Sequence, residues 1–154
     1  LIASDKSVEN LEQKWDGMLA KDPRELFDLP NGFSYKVIIS SEDIMSDGLN
    51  FGKRPDGMAA FELSDGSVAL VVNHETKSKD KNLNFKTAYD AANGIAYSGG
   101  TSTLVLDSDG TTLKRSHRSL SGTIDNCAGG ATPWNTWIVG GDLPDGGKCE
   151  NGCC

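Results

Sequence analysis

Residues 58–75, "MAAFELSDGSVALVVNHE", decide the fold class. Two apolar runs flank the tetrapeptide Ser-Asp-Gly-Ser, and Asp and Gly are residues that tight turns favour. An apolar run on each side of such a turn predicts a β-hairpin. The design recurs at residues 101–120, "TSTLVLDSDGTTLKRSHRSL", with Asp-Ser-Asp-Gly as the turn. The sequence therefore predicts two antiparallel hairpins.

Shorter strand patterns lie on either side of these hairpins. Residues 33–40, "FSYKVIIS", carry an apolar or aromatic side chain at every second position from Phe33 to Ile39, which predicts a strand with one apolar face. Residues 136–142, "TWIVGGD", predict one more short strand. Residues 76–97 are polar and less regular, which fits either a short helix or a loop that crosses the surface.

One segment has a helical pattern, residues 7–21, "SVENLEQKWDGMLAK". Its apolar residues recur at steps of three and four, which predicts one apolar stripe along a helix. Ser7 suits the N-cap position, and the pair Asp22-Pro23 ends the helix. We expect this helix to pack its stripe onto a neighbouring element.

These patterns predict a mainly β fold of antiparallel sheets with one N-terminal α-helix. A barrel, a sandwich or a propeller would accommodate the strands. Since a propeller blade contains four strands, they would fill about one to two blades of a partial propeller. We expect an N-terminal helical segment, residues 1–27, and a β domain, residues 28–154, that ends in a Cys-rich tail.

The composition limits the classes of partner. The chain has 154 residues, 37% of them hydrophobic, which suits one globular domain. Its formal net charge is -7, and an acidic protein is repelled by nucleic acid and by anionic membranes. No apolar run approaches the roughly 18 residues of a membrane span. We therefore expect neither a nucleic-acid partner nor a transmembrane segment, whereas acidic loops suit Ca²⁺.

The four cysteines fall into two groups. Cys149, Cys153 and Cys154 crowd into the last six residues, which favours disulfides in an oxidising compartment, with zinc as the alternative. Cys149 would pair with one of the two vicinal cysteines or with a partner outside this sequence. Cys127 stands alone in residues 123–142, "TIDNCAGGATPWNTWIVGGD". Its thiol could be a disulfide half, a packed side chain, a nucleophile or a metal ligand.

Three polar residues end the second apolar run of the first hairpin. On a strand, Asn73 and Glu75 share one face while His74 takes the other. The amide and the carboxylate could form a ligand pair with His74 behind them. A solvated strand end explains the same pattern equally well.

Other polar segments also allow two interpretations. In "RPDG", residues 54–57, Asp and Gly suit a turn, but Arg54 could fork onto a phosphate or carboxylate and Asp56 could bind a cation. "KRSHRSL", residues 114–120, is typical of an edge strand kept soluble by charge, with anion attraction as the alternative. The glycines after Cys127 would let the backbone approach a ligand closely or present N–H groups to an anion.

Taken in order, these segments resemble the PhoX-type alkaline phosphatase family. The similar stretches span residues 28–138 and are "LPNGFSYKVI", "MSDG", "RPDGMAAF", "LVVNHE" and "GTIDNCAGGATPWNTW". The most specific of them is the signature N-C-A-G-G-x-T-P-W-x-T-W, which contains Cys127.

The resemblance implies a β-propeller with an extracellular or periplasmic phosphatase activity. Members of this family hydrolyse phosphate monoesters and use calcium with ferric iron. By the same resemblance, Cys127 is a thiolate ligand to iron and Glu75 is a metal ligand, while Asn73 lies near the phosphate or the metals. Asp56 and Arg54 occupy matching motif positions. We expect Asp56 to bind metal, and Arg54 and Asn73 to act in catalysis.

After the signature, the sequence departs from the family pattern. In place of the family's Cys-Glu-Glu segment stands "IVGGDLPDGGKCENGCC", residues 138–154, where Asp142 is a possible substitute. The family's later blades and ligands would follow residue 154, so we expect the N-terminal portion of a longer phosphatase.

Two other functions fit the same sequence. The first is a non-catalytic extracellular assembly module, which would self-associate or pair with the rest of a propeller through open strand edges and cysteines. The second is a calcium-binding module without catalysis.

Overall fold

The structure, a computed structural model, describes residues 18–77, 79–80, 88–89, 91–92 and 95–141. Within these ranges the chain forms eleven β-strands and no helix. The strands are β1 (Leu19–Ala20), β2 (Leu29–Pro30), β3 (Pro55–Glu62), β4 (Val68–His74), β5 (Lys79–Asp80), β6 (Ala91–Ala92), β7 (Ile95–Tyr97), β8 (Gly99–Leu106), β9 (Leu113–Thr123), β10 (Asn126–Ala131) and β11 (Trp137–Gly141).

Four strands form the main sheet in the order β3-β4-β8-β9, and each neighbouring pair is antiparallel. The prediction of a mainly β fold with antiparallel sheets is therefore confirmed. Four is also the number of strands in a propeller blade. The described residues close neither a propeller nor a barrel, so the partial propeller stays a prediction.

The two predicted hairpins are confirmed as β3–β4 and β8–β9. In the first turn, Gly66 adopts φ 78° and its N–H donates to the Leu63 carbonyl at 2.9 Å. In the second, Gly110 adopts φ 70° and its N–H donates to the Asp107 carbonyl at 2.9 Å. Positive φ costs glycine little because it lacks a Cβ, so the Asp-Gly pairs fix both reversals locally.

The predicted N-terminal helix is wrong over its described part. Residues 18–21 contain β1, which pairs antiparallel with β2, and residues 7–17 of the predicted helix lie outside the described residues. The Asp22 carboxylate accepts hydrogen bonds from the backbone N–H groups of Arg24, Leu26 and Phe27 and from the Tyr35 hydroxyl. These bonds favour a local turn over a continuing helix, since Asp side chains compete for backbone donors.

The strand predicted at residues 33–40 is also wrong, because these residues join no sheet. Phe33 and Val37, two members of the predicted apolar face, are 62% and 47% exposed. Ile38 and Ile39 instead pack together against the main core. Adjacent residues face opposite sides only on a regular strand, and this segment lies against the sheet face rather than at a sheet edge.

The core covers one face of the main sheet. Val72, Leu104 and Leu106 on β4 and β8 are almost completely buried beneath Met45 and Phe51 from the preceding loop. Burial of each such side chain contributes about 1.5–3 kcal/mol. The core therefore fixes the two inner strands, whose ends carry the polar residues described next.

The loop that contains "MSDG" covers the outer edge of β9. Ser46 N–H donates to the Ser116 carbonyl and Ser116 N–H to the Ser46 hydroxyl, each at 3.0 Å. The Asp47 carboxylate accepts the Arg118 backbone N–H at 2.7 Å. The edge position predicted for "KRSHRSL" is confirmed, and loop hydrogen bonds as well as charge occupy the edge.

The region predicted to be irregular, residues 76–97, contains short strands where it is described. β5, β7 and β6 form a separate antiparallel sheet in that order. Ala88 forms an isolated parallel bridge with Ser121, and residues 78, 81–87, 90 and 93–94 lie outside the described part of the chain.

The short strand predicted at residues 136–142 is confirmed as β11, which pairs with β10.

Candidate active site

A buried asparagine attaches the signature hairpin, β10–β11, to the main sheet. Asn73 is 0% exposed at the end of β4. Its Nδ2 donates to the carbonyl oxygens of Cys127 and Ala128, at 3.2 and 2.9 Å. Its Oδ1 accepts the indole N–H of Trp137 at 2.9 Å. We call these four residues the Asn73 clamp, because one amide side chain holds both strands of the hairpin.

Two glycines allow the close approach that the clamp requires. A Cβ at Gly57 would lie 2.5 Å from the Cys127 carbonyl oxygen and 3.2 Å from Asn73 Nδ2. A Cβ at Gly129 would collide with the Trp137 ring and with the Ile138 carbonyl oxygen. Gly57 and Gly129 therefore let two parts of the protein pack closely against each other.

The reversal between β10 and β11 is closed by two threonines. Thr132 N–H donates to the Thr136 carbonyl at 2.8 Å, and Thr136 N–H donates to the Thr132 hydroxyl at 3.0 Å. Asn135 takes φ 60°, a left-handed conformation that Asn tolerates better than most residues. The "TPWNT" part of the signature thus forms the turn that aligns Trp137 with the clamp.

Arg54 and Glu75 meet at the exposed side of the same sheet end. Arg54 Nη2 lies 2.6 Å from Glu75 Oε2, and Glu75 N–H donates to the Arg54 carbonyl at 3.0 Å. The two side chains are 63% and 26% exposed, respectively. Arg54 also has φ 50°, which is uncommon for a residue other than glycine. The sequence placed both residues at the site, and the structure brings their charged groups together.

Asp56 lies next to this pair in an exposed position. The register of β3 and β4 shifts between Pro55 and Met58, which leaves Asp56 and Gly57 in a bulge. Pro55 has no N–H to contribute to a ladder and stands at the first position of an edge strand, where proline is tolerated.

Cys127 is a half-buried free thiol in the described part of the chain. Its Sγ lies 3.9 Å from the Gly140 carbonyl oxygen, a distance at which a thiol bonds weakly. A Cys–His nucleophile would need a histidine base within hydrogen-bond reach. Both ring nitrogens of His74 have other partners, so His74 does not activate this thiol.

His74 is a buried structural histidine. Lys53 carbonyl lies 3.3 Å from Nδ1 and Ser102 Oγ lies 2.8 Å from Nε2, which assigns the proton of a neutral ring to Nδ1. Phe51 packs edge-on against the ring with centroids 4.9 Å apart. Burial, helped by the charge of Arg118, lowers the pKa of His74 to about 4.

The solvated strand end considered for "NHE" is therefore wrong for two of its three residues. Asn73 and His74 are both 0% exposed, and β4 has a paired neighbour on each side. Only Glu75, which follows the last residue of β4, reaches solvent.

Sequence reasoning missed Asp125, a buried carboxylate two residues before Cys127. Asp125 is 1% exposed, has φ 54°, and donates its N–H to the Thr76 carbonyl at 2.9 Å. Lys77 Nζ lies 3.0 Å from its Oδ2. The contact links the segment after β4 to the entrance of β10. An aspartate between Ile124 and Asn126, directly before Cys127, was the one signal available in the sequence.

The donor set fits calcium and iron in chemistry but is incomplete. Carboxylate oxygen suits Ca²⁺ and thiolate suits iron, and Glu75 and Cys127 supply one of each. Over residues 18–141, with their undescribed gaps set aside, no three His, Cys, Asp or Glu side chains gather closely enough to hold a metal. Asp142 and the acidic residues after it lie outside the described part.

The strand order and the clamp do not by themselves identify a protein family, whereas a comparison with known families does. A family model described as "Alkaline phosphatase PhoX" matches residues 16–114 and 108–147. The chain belongs to the PhoX alkaline phosphatase family. The resemblance read from the sequence is thus confirmed, and the matched residues include all eleven described strands.

The other comparisons found no relative of this PhoX family chain. Neither a curated protein nor a solved structure matches it. Among the residues that the structure describes, no helix is long and apolar enough to cross a membrane. The roles predicted for Asn73, Arg54, Cys127, Glu75 and Asp56 stay predictions, since family membership alone does not assign them.

Proposed function

We propose that the chain is part of a metal-dependent phosphoric monoester hydrolase. The observation that carries the proposal is the sheet end where Arg54 and Glu75 present opposite charges to solvent beside the clamped Cys127 strand. Phosphoryl transfer needs a cationic group for the phosphate oxygens and carboxylates for metal. Membership of the PhoX family supports the same reaction class.

In this proposal each residue at the sheet end has one role. Arg54 binds the phosphate through its guanidinium fork, and Asn73 positions the Cys127 backbone. Glu75 and Asp56 would hold calcium, and Cys127 would hold ferric iron. When bound, these metals would neutralise phosphate charge and lower the pKa of a bound water. The remaining ligands would come from residues outside the described part or from the rest of a longer protein.

The proposed site of action is outside the cytoplasm. The Cys-rich tail favours an oxidising compartment. The resemblance to the PhoX-type family implies an extracellular or periplasmic protein. Thiol titration of the native protein tests this: a disulfide between Cys149 and one of the vicinal cysteines leaves two free thiols in four, Cys127 and one tail cysteine, whereas four free thiols would contradict it.

The direct test is hydrolysis of p-nitrophenyl phosphate by the native protein with added Ca²⁺ and Fe³⁺, together with metal analysis. We expect turnover at alkaline pH and bound iron in wild type, and loss of both in Cys127→Ser. Ser108→Ala, in the exposed β8–β9 turn, is the control and should retain both. Iron retention by Cys127→Ser would remove the thiolate from the proposal, and an inactive, metal-free wild type would defeat it.

A second function, assembly through a strand edge, has its own supporting observation. β3 is an outer strand of the main sheet, and Met58 on it is 43% exposed. An unpaired strand edge is a template for pairing with another chain. Light scattering over a range of concentrations tests it: Met58→Lys should shift an oligomer to monomer, whereas a monomeric wild type argues against assembly.

A further inference from the structure

The charges of Arg54 and Glu75 neutralise each other at the proposed phosphate site. Their contact is 2.6 Å between Nη2 and Oε2. The backbone hydrogen bond from Glu75 N–H to the Arg54 carbonyl holds the two residues in register at 3.0 Å. A guanidinium in contact with a carboxylate is a weaker site for phosphate, and the carboxylate is a weaker site for a cation, because each ligand must displace the partner.

The lysines that flank this pair in the sequence are engaged elsewhere. Lys53 Nζ lies 2.8 Å from Glu42 Oε1, and Lys77 Nζ lies 3.0 Å from Asp125 Oδ2. Each lysine therefore has an ion-pair partner other than Glu75.

The two partners differ in freedom to move. Glu75 is 26% exposed and directly follows β4, whose neighbouring strands fix its backbone. Arg54 is 63% exposed and precedes the bulge of an edge strand. Of the two charged groups, the guanidinium therefore has more access to solvent, while the carboxylate is attached to the better-fixed backbone.

We propose that this ion pair, which we call the Arg54–Glu75 latch, couples cation binding to phosphate binding. A divalent cation that takes the Glu75 carboxylate releases Arg54 to bind a phosphate monoester. A phosphate that takes Arg54 releases Glu75 for the cation, since such coupling is reciprocal. The inference deepens the proposed function and rests on its assignment of Arg54 to phosphate and Glu75 to a cation.

If the latch operates, removing either of its side chains should raise the affinity of the other side chain for its ligand. Direct attraction between a bound cation and a bound phosphate predicts no such gain. Glu75→Gln should bind inorganic phosphate more tightly than wild type when no metal is present. Arg54→Gln should bind Ca²⁺ more tightly than wild type when no phosphate is present. Because the pair is partly exposed and screened by solvent, each gain should be about two- to fivefold.

Matched controls separate the latch from the removal of a charge. Asp56→Asn removes a carboxylate next to Arg54, and Lys53→Gln removes a cation next to it, without breaking the latch. Isothermal titration of the native chain with phosphate alone should show a smaller gain for Asp56→Asn than for Glu75→Gln. Titration with Ca²⁺ alone should show a smaller gain for Lys53→Gln than for Arg54→Gln. Thermal unfolding of each variant confirms that it folds.

The outcomes distinguish the latch from the proposed function. If phosphate and Ca²⁺ both bind wild type, but Glu75→Gln gains no more phosphate affinity than Asp56→Asn, the latch is wrong and the hydrolase proposal stands. If neither ligand binds wild type or any variant, both are wrong. A gain in each latch variant above its control supports the latch, whether or not the protein hydrolyses esters.

Discussion

The Asn73 clamp and the Arg54–Glu75 latch lie at the same end of β4 but differ in burial. The Asn73 amide is completely buried, and protein groups satisfy both its Nδ2 and its Oδ1. The latch is one ion pair between side chains that solvent reaches. A buried, satisfied polar group fixes a geometry, because breaking it leaves unpaired groups. An exposed ion pair exchanges partners at little cost. One Asn-His-Glu segment therefore supplies both a rigid support and an exchangeable charge.

The strongest test of the rigid half is Asn73→Ala. The change removes three hydrogen bonds and leaves the Trp137 N–H and two carbonyls without their partner. We expect a loss of about 3 kcal/mol in the free energy of unfolding, at about 1 kcal/mol for each bond. Urea denaturation measures the loss, and faster reaction of Cys127 with a thiol reagent should accompany it.

The exposed Asn31→Ala is the control for that change. It should leave both stability and thiol reactivity close to wild type. A stable Asn73→Ala protein with an unchanged Cys127 would show that the clamp does not hold the hairpin.

The second test varies the pH to probe His74, which lies in the sequence between Asn73 of the clamp and Glu75 of the latch. Its folded pKa of about 4 lies below the ordinary 6.5 because of burial. Between these values the unfolded chain binds the proton and the folded chain does not, so stability falls as pH falls from 6.5 towards 4. The full loss is about 3 kcal/mol.

Unfolding curves at pH 7 and pH 4.5 for wild type and His74→Gln isolate this contribution. Glutamine does not ionise, so its stability should depend less on pH, while carboxylates elsewhere affect both proteins alike. Equal pH dependence in the two proteins would mean that His74 ionises as readily in the folded state as in the unfolded one.

The third test compares two neighbouring glycines of the signature. A Cβ at Gly129 meets the Trp137 ring and the Ile138 carbonyl, whereas a Cβ at Gly130 has open space around it. Overpacking costs about 1–3 kcal/mol, so Gly129→Ala should destabilise the protein by about 2 kcal/mol. Thermal unfolding followed by tryptophan fluorescence measures the loss. Gly130→Ala should be near neutral, and equal losses would contradict the packing role of Gly129.

The contrast between the clamp and the latch also explains what the sequence could predict. The Asp-Gly hairpins are local, so composition and spacing identified β3–β4 and β8–β9 correctly. The clamp joins Asn73 to Cys127, Ala128 and Trp137, which follow it in the chain by 54, 55 and 64 positions. Pairings over such distances leave no local signal in the sequence. Motif similarity found Arg54 and Glu75 but not their contact with each other.

The errors have local physical causes. The prediction of a helix at residues 7–21 used Asp22 only as its end, whereas the Asp22 carboxylate accepts hydrogen bonds from the backbone N–H groups of Arg24, Leu26 and Phe27. Alternation at residues 33–40 predicted a strand although Ile38 and Ile39 pack on the same core. Periodicity describes a regular element and fails where a segment packs irregularly on a sheet face.

The Lys77–Asp125 pair is intermediate between the clamp and the latch and gives the smallest expected effect. The Asp125 side chain is 1% exposed, so it is buried like Asn73 of the clamp. The Lys77 side chain is 61% exposed, so solvent reaches it as it reaches Arg54 of the latch. Losing the partner of a fully buried charge costs about 3–5 kcal/mol, and exposed pairs contribute about 0.2–1 kcal/mol. Since solvent screens the ammonium, we expect Lys77→Met to cost about 1 kcal/mol by urea denaturation.

Two comparisons, with a matched lysine variant and with added salt, show whether Lys77 stabilises a buried or a solvated carboxylate. Lys53→Met breaks an ion pair in which both side chains are largely exposed, so its effect on stability should be smaller than that of Lys77→Met. The Lys77→Met loss should persist at 0.5 M salt more than the Lys53→Met loss, because buried charges are screened less. If salt abolishes both losses equally, Asp125 is solvated in solution. The entrance to the signature hairpin would then depend on the Asn73 clamp rather than on charge.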